Sequence, residues 1–429
     1  MFKIRKVFLL LVIVFLSLCV NLYAQTPLKV TFIDVGHGDC ILIQTPDDGI
    51  KDNGRDEGEI ILIDGGEKVE GRKVIIPYLE NHGIKEDKSI DVMIMTHAHS
   101  DHAGGLIPVI EEYKVKAVLD PNRNKYNGGL YGEFVSAVKK EPNCRYYRPL
   151  VGTLIEKEGD NLDWGSELEV KVLNSDKKAE EPNNTSIVIW LRYGEVSFLL
   201  PGDAEGKRKT DSPDKLKYVE KDLVKEYDGK LKSTFLKAGH HGSETSSTNA
   251  FIDAVSPRYV IICAGNKPFG KNKNVLPDKS VVKRYETKGI KIYRTDRDDQ
   301  NKPFKEASGD DHIVITTDGT LKGTEIRYED EKPKSMAGNL TAVPEEQKGK
   351  SISELGVVYK GMPKEYLENA GFTKYLLLDT KKEGSKEWMT FSDWTTPQPG
   401  DTITFIIEDG KVKDWIREGK KKEASGREI

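Results

Sequence analysis

Four cysteines among 429 residues are too few for a disulfide-built scaffold. Long apolar runs are missing as well. None reaches the roughly 18 uninterrupted residues of a spanning helix, which argues against a transmembrane channel. Positive charge is not in excess either. Lys and Arg number 66 against 70 Asp and Glu, for a net charge of −4. That excludes a globally basic nucleic-acid coat but leaves room for a local basic channel. Histidine is scarce, with eight in all, so its placement carries information. No internal repeat is evident. What remains is 37% hydrophobic content, enough for a core, in a length that suggests two to three domains.

The chain opens with Lys3, Arg5 and Lys6, then an apolar stretch from Val7 to Val20 broken by Ser17, then Leu22-Tyr23-Ala24 before Gln25. This order is that of a secretory signal, with cleavage predicted after Ala24 and a secreted or periplasmic product. Leu18 is bulky where a lipoprotein box needs a small residue before Cys19. Cleavage removes three of the 66 basic residues and none of the 70 acidic ones, leaving a net charge near −7. Cys40, Cys144 and Cys263 remain and read as small buried hydrophobes.

Beyond the signal, β-branched and aromatic runs alternate with helical patterns. Lys29–Asp34 and Cys40–Ile43 read as strands around a Gly36-His37-Gly38-Asp39 turn, and Glu59–Ile63 as a third. Residues 75–82 and 106–113 read as helices, with 90–95 and 117–119 as strands. Further strands are expected at 167–173, 186–192, 195–200, 233–238, 259–263, 291–294 and 312–317, and helices within 207–232 and near 279–288. This alternation predicts an α/β layered core over residues 25–329. Residues 330–349 are rich in Glu, Lys, Pro, Gly and Ser and read as a linker. Residues 350–418 are long enough for a small α+β domain, and 419–429 form a charged tail.

His97-Ala98-His99-Ser100-Asp101-His102 places four metal-capable side chains in six residues directly after an apolar strand. His97 and His99 can meet one ion, and Asp101 and His102 can turn toward a second. Imidazole and carboxylate suit zinc, manganese or iron. Gly104-Gly105 is expected to let the backbone turn tightly behind the ligands. A merely solvated loop would not gather three of eight histidines. Asp203 ends the strand Phe198-Leu199-Leu200, His240-His241 end Phe235–Ala238, and Asp64 ends Ile61-Leu62-Ile63. Polar groups at several strand ends facing one rim are how sheet proteins build sites. Taken singly, the Asp-Gly pairs would mark turns.

These residues resemble the metallo-β-lactamase superfamily, and within it the extracellular hydrolase domain of the ComEC/Rec2 DNA-uptake proteins. The resemblance spans about Leu28 to Gly319. It rests on Thr31–Asp39, Leu62–Gly66, Thr96–His102, Asn184–Val188, Leu200–Glu205 and Leu236–Ser243. It implies an αββα sandwich with the metals, Zn²⁺ or Mn²⁺ as one or two ions, at one edge of two sheets. It implies that His97 and His99 hold the first ion and Asp101 and His102 the second. Asp203 binds the second or bridges both. Either His240 or His241 completes the second site. Asp64 orients the loop, and Asp101 additionally accepts a proton. The superfamily's usual histidine between motif and bridging aspartate is absent, since Ala103–Gly202 contains none. An Asn-rich segment, Asn183 and Asn184, stands there. On this resemblance the first site binds metal weakly or prefers manganese.

Such a centre suits hydrolysis, because a divalent ion makes water acidic enough to attack near neutral pH. Phosphodiester cleavage of DNA or another nucleic acid is expected, with Ser243, Thr245 and Ser246 placed to meet a phosphate. The rivals are a hydrolase of a small ester, lactone or β-lactam, and a non-catalytic secreted binding module with a relic metal site. The lysine and arginine runs at 207–209 and 267–273 read as solvated faces. His37 reads as turn packing or as an outer partner of a metal ligand, His82 as a helix-terminal cation, and His312 as a strand opener. The tail from about Ile352 resembles the SmpA/OmlA-type module, through Gly356–Met362, a short helix to Gly371, Thr402–Phe405 and Asp409–Val412. That likeness implies protein contacts rather than catalysis.

Overall fold

Along the strands, successive apolar side chains fall alternately into two separate cores, and this alternation sets the architecture. The computed structural model describes residues 26–46, 58–84, 89–121, 129–149, 151, 164–165, 167–175, 179, 181–268, 275–299, 302, 308–330, 375–383, 386–393, 402–408 and 411–418. The first sheet holds β1 (Leu28–Phe32), β2 (Ile41–Gln44), β3 (Ile60–Ile63), β4 (Ser89–Ile94), β5 (Lys114–Leu119) and β6 (Arg145–Tyr147). The second holds β7 (Leu168–Asn174), β8 (Val188–Tyr193), β9 (Val196–Leu200), β10 (Phe235–Lys237), β11 (Tyr259–Ile262) and β12 (Lys291–Arg294). The chain then returns to the first sheet as β13 (Ile313–Thr317) and β14 (Thr324–Tyr328). The strand orders are β14-β13-β1-β2-β3-β4-β5-β6 and β12-β11-β10-β9-β8-β7.

Val30, Phe32, Ile61, Ile63, Val92 and Ile94 of the first sheet share one core with Val170, Ile189, Phe198 and Phe235 of the second. The alternate residues face outward onto helices. Leu42, Leu62 and Met93 pack with Leu79, Leu106 and Phe134, while Leu199, Leu236 and Val260 pack with Leu223, Phe251 and Val281. The result is the expected αββα sandwich. Its helices include α1 (Ile76–Asn81), α2 (Ser100–Ala103), α3 (Leu106–Glu112) and α4 (Gly129–Lys140). Over the second sheet lie α5 (Tyr218–Glu226), α6 (Asn249–Val255) and α7 (Lys279–Thr287).

Strands β3, β4 and β5 run parallel, as do β9, β10, β11 and β12. Their carboxyl ends deliver Asp64, His97, Asp203 and His240 to one rim, where open α/β sheets place their sites. Some elements escaped the sequence reading. Helix α4 buries Tyr131, Phe134 and Val138 at helical spacing. Strand β14 is a short polar edge strand beyond Gly319, past the last strand expected from the sequence. Residues 100–103, expected as loop, form a helical turn.

The chain divides into two compact units, Met1–Lys334 and Ser335–Ile429. In the second, the described residues form a four-stranded antiparallel sheet of successive strands β15 (Tyr375–Glu383), β16 (Lys386–Asp393), β17 (Thr402–Glu408) and β18 (Lys411–Glu418). The expected signal at 1–24, linker beyond Asp330, helix to Gly371 and tail at 419–429 lie outside the described residues.

Candidate metal centre

Three loops of the first sheet are stitched backbone to backbone beneath the site. Asp39 N–H donates to the Asp101 carbonyl (3.2 Å), Gly66 N–H to Asp39 (2.9 Å), Gly65 N–H to His102 (2.8 Å) and Gly105 N–H to Gly66 (3.0 Å). A Cβ on Gly105 would sit 1.8 Å from the Gly65 carbonyl oxygen. Gly104-Gly105 form the expected turn between two helical segments, at right-handed φ values of −60° and −72°. Glycine is required there for close approach, not for a left-handed turn.

Asp64, itself left-handed with φ 57°, orients the ligand loop. Its carboxylate accepts from Thr96 N–H (2.8 Å), from Thr96 Oγ1 (2.6 Å) and from His102 Nδ1 (2.8 Å). With the Thr96 proton committed, Thr96 Oγ1 accepts from His97 Nδ1 at 3.2 Å. Both rings thereby turn their Nε2 atoms into the site. His97 Nε2 lies 3.0 Å from His99 Nδ1.

The second sheet supplies Asp203 and the histidine pair. His240 and His241 adopt consecutive left-handed conformations, φ 47° and 52°. Such positions cost about 1–3 kcal/mol each in non-glycine residues and cluster at functional sites. The turn drives His241 inward, where Nδ1 donates to the Cys263 carbonyl (2.9 Å). It leaves His240 partly exposed, with Nδ1 on Thr245 Oγ1 at 2.8 Å. Asp203 Oδ2 is the focus. His102 and His241 Nε2 both lie 3.3 Å from it, and His97 and His240 Nε2 both lie 3.9 Å away.

The donor set fits a divalent cation. The Nδ1 protons of His102 and His241 are committed to Asp64 and Cys263. Their Nε2 atoms therefore face each other at 3.2 Å and face the carboxylate. Two imidazole nitrogens and a carboxylate oxygen gathered at one point call for a positive charge. Burial works against charge on either ring, yet Asp203, with Asp64 at His102 and Asp101 at His241, holds both well above the usual imidazole range. Burial also opposes ionisation of Asp101, but hydrogen bonds from His241 and His37 keep it well below the carboxylate range. His97, buried and beside His102, is pushed well below its ordinary value. Groups able to hold an ion include His97 with His102 and Asp203, and His37 with Asp101 and His241.

Asp39, Lys237 and Lys207 escaped the sequence reading. His37, read as turn packing or as an outer partner of a ligand, takes the second role, with Nε2 3.1 Å from Asp101 Oδ2. Asp39 and Lys237 form a fully buried ion pair at 2.5 Å. Lys237 had a signal, because alternation from Phe235 aims it between the sheets. Lys207, read as part of a solvated run, is buried and meets Glu244 at 3.0 Å. Of the asparagines, Asn183 Nδ2 lies 3.4 Å from the His240 ring, whereas Asn184 Oδ1 accepts from Glu205 N–H at 3.0 Å. Ser243 is buried, and its Oγ accepts from Thr245 Oγ1 at 3.2 Å.

A family described as the metallo-beta-lactamase superfamily matches residues 33–266. ComE operon protein 3 of Bacillus subtilis (strain 168) is 30% identical over 288 residues, 63% of this chain and 32% of that protein. Competence protein ComA of Neisseria gonorrhoeae is 28% identical over 62% of this chain and 31% of its own length. Recombination protein 2 of Haemophilus influenzae (strain ATCC 51907 / DSM 11121 / KW20 / Rd) is 28% identical over 55% and 24%. The chain thus spans about a third or less of these relatives. With over half its length matched by the family, the chain belongs to the metallo-β-lactamase superfamily.

Proposed function

We propose that this chain is a secreted metal-dependent phosphodiesterase that cleaves DNA or a related nucleic acid. The observation that carries the reading is the convergence of imidazole nitrogens from both sheets on Asp203 Oδ2. The competence and recombination names of its relatives support a nucleic-acid substrate. A cavity of about 570 Å³ opens beside His37, lined by Lys68, Lys73 and Lys267 together with Glu67 and Glu70. Its size suits a small ligand or a strand segment.

Zn²⁺ or Mn²⁺ would be held by His97, His99, Asp101, His102, Asp203 and His241, with His240 at the mouth. When bound, the ion supplies Lewis-acid activation of water and of the scissile oxygen. The chain's own residues do the rest. Asp64 fixes the His102 ring through Nδ1 and, by way of Thr96 Oγ1, the His97 ring, and the Cys263 carbonyl fixes His241. Asp101, held ionised by His37 and His241, is the acceptor for the proton that the attacking water gives up. His240 and Thr245, with Ser243 behind them, form the polar mouth that a phosphate would meet.

The test is hydrolysis of bis(p-nitrophenyl) phosphate and single-stranded DNA by the full chain with added Mn²⁺ or Zn²⁺, set against nitrocefin. Phosphodiester turnover that disappears in His99→Ala is the expected result. Nitrocefin turnover without phosphodiester cleavage would transfer the site to the lactamase reading. Metal uptake without any turnover would support the binding module.

A further inference from the structure

Lys237 is the last residue of β10 and has no access to solvent. Phe235 packs between the sheets and Leu236 against the outer helices, so the strand's alternation turns Lys237 back into the space between the sheets. A buried ammonium needs oxygen partners, and it finds three around the metal centre. Asp39 Oδ2 lies at 2.5 Å, the Gly202 carbonyl at 3.0 Å and Asp203 Oδ1 at 3.5 Å.

Asp203 is thereby divided. Oδ2 faces the imidazoles, while Oδ1 faces the ammonium and accepts no hydrogen bond. Asp39 is divided in the same way, with Oδ2 on Lys237 and Oδ1 3.4 Å from His241 Nδ1. We propose that Lys237 is a positioning residue of the metal centre, a resident cation that occupies Asp203 Oδ1 and Asp39 Oδ2 and leaves Asp203 one oxygen for the metal. Without it, Asp203 could chelate through both oxygens. Lysine suits the place because its ammonium is a compact point charge, where a planar guanidinium would demand more room. The inference concerns the centre and not the substrate, so the nuclease reading can fail while it stands.

The test uses the Co²⁺-loaded full chain, whose visible ligand-field band weakens as the number of ligands rises. K237M/D39N removes the ion pair as a unit and so leaves no lone buried charge. D39N alone keeps the ammonium on Asp203. The band is expected to weaken at least about twofold in K237M/D39N and to stay near wild type in D39N. An unchanged band in the double variant, or the same weakening in D39N, would overturn the proposal. Should the double variant not fold, a crystal structure of the Co²⁺-loaded wild type decides. Asp203 is expected to reach the ion through Oδ2 alone with Lys237 on Oδ1, and a bidentate Asp203 refutes it.

Discussion

At Asp203, two imidazole Nε2 atoms and a carboxylate oxygen meet at one point, with both Nδ1 atoms committed elsewhere. On the far side of the His240–Ser243 turn, Glu244 is met by Lys207 Nζ at 3.0 Å and Arg284 Nη2 at 2.9 Å. Arg284 also donates to the Ser247 carbonyl at 2.6 Å, and Glu220 accepts from Thr248 N–H and Oγ1. Both clusters are charged and largely buried. The first has a surplus of acceptors and is complete only with a cation from outside. The second closes on itself and braces the loop that carries the histidines. Buried polarity thus marks a binding site only where donors and acceptors fail to balance.

Substitutions should separate the two clusters by what they damage. Asp203→Asn removes the focus of the open cluster. It should lower metal content and cut hydrolysis at least ~100-fold, since loss of even an outer partner of a metal ligand costs about 10–100-fold. Elemental analysis and steady-state rates check this, and wild-type metal content in the variant would break the contrast. Glu244→Gln strands two buried cations. Breaking a buried pair costs about 3–5 kcal/mol, and the partial exposure of Glu244 places this near ~3 kcal/mol. Denaturant unfolding reads it, and metal bound per folded molecule should not change. The same variant carries a pH signature. Burial alone would raise the Glu244 carboxyl, but Ser280, Lys207 and Arg284 hold it below its ordinary 4.5. Its stabilisation is therefore complete above pH 4.5 and is lost as pH falls through the lower folded value. The deficit of Glu244→Gln should shrink in that window.

Asp64→Asn probes the link between balance and binding. It keeps the size of the side chain but weakens acceptance from Thr96 and His102. Metal affinity should fall about 10–100-fold with little loss of fold, measured by competition with a chelating dye. At the small end, Arg72→Ala breaks an exposed pair with Glu111 and should change stability by less than ~0.5 kcal/mol. A larger change would show that surface pairs, too, separate the clusters poorly.

The open cluster was legible where its ligands crowd one stretch of chain. His97 to His102 can be read at once, and Asp203 and His240 announce themselves at strand ends. His37, Asp39 and Lys237 sit singly in turns and a three-residue strand, and only the pairing of the two sheets brings them to the same rim. The distinction between His240 and His241 was equally hidden, because it depends on two left-handed backbones that no side-chain pattern encodes. The closed cluster was invisible for a further reason. Lys207 lies in a charged run whose composition signals solvent, and its burial depends on Glu244, 37 positions away. The sandwich itself was readable from alternation, whereas α4 was passed over despite its helical spacing.

The glycine-tight loops lock His97 and His102 to one slab of the sandwich, and Asp203 and His241 ride on the other. Any change in the filling between the slabs, such as trimming Phe198 or Phe235, must alter the gap across which the ligands reach each other. Affinity for the ion is therefore a gauge of packing far from it, and drift in the interior would be felt first as a looser grip on metal.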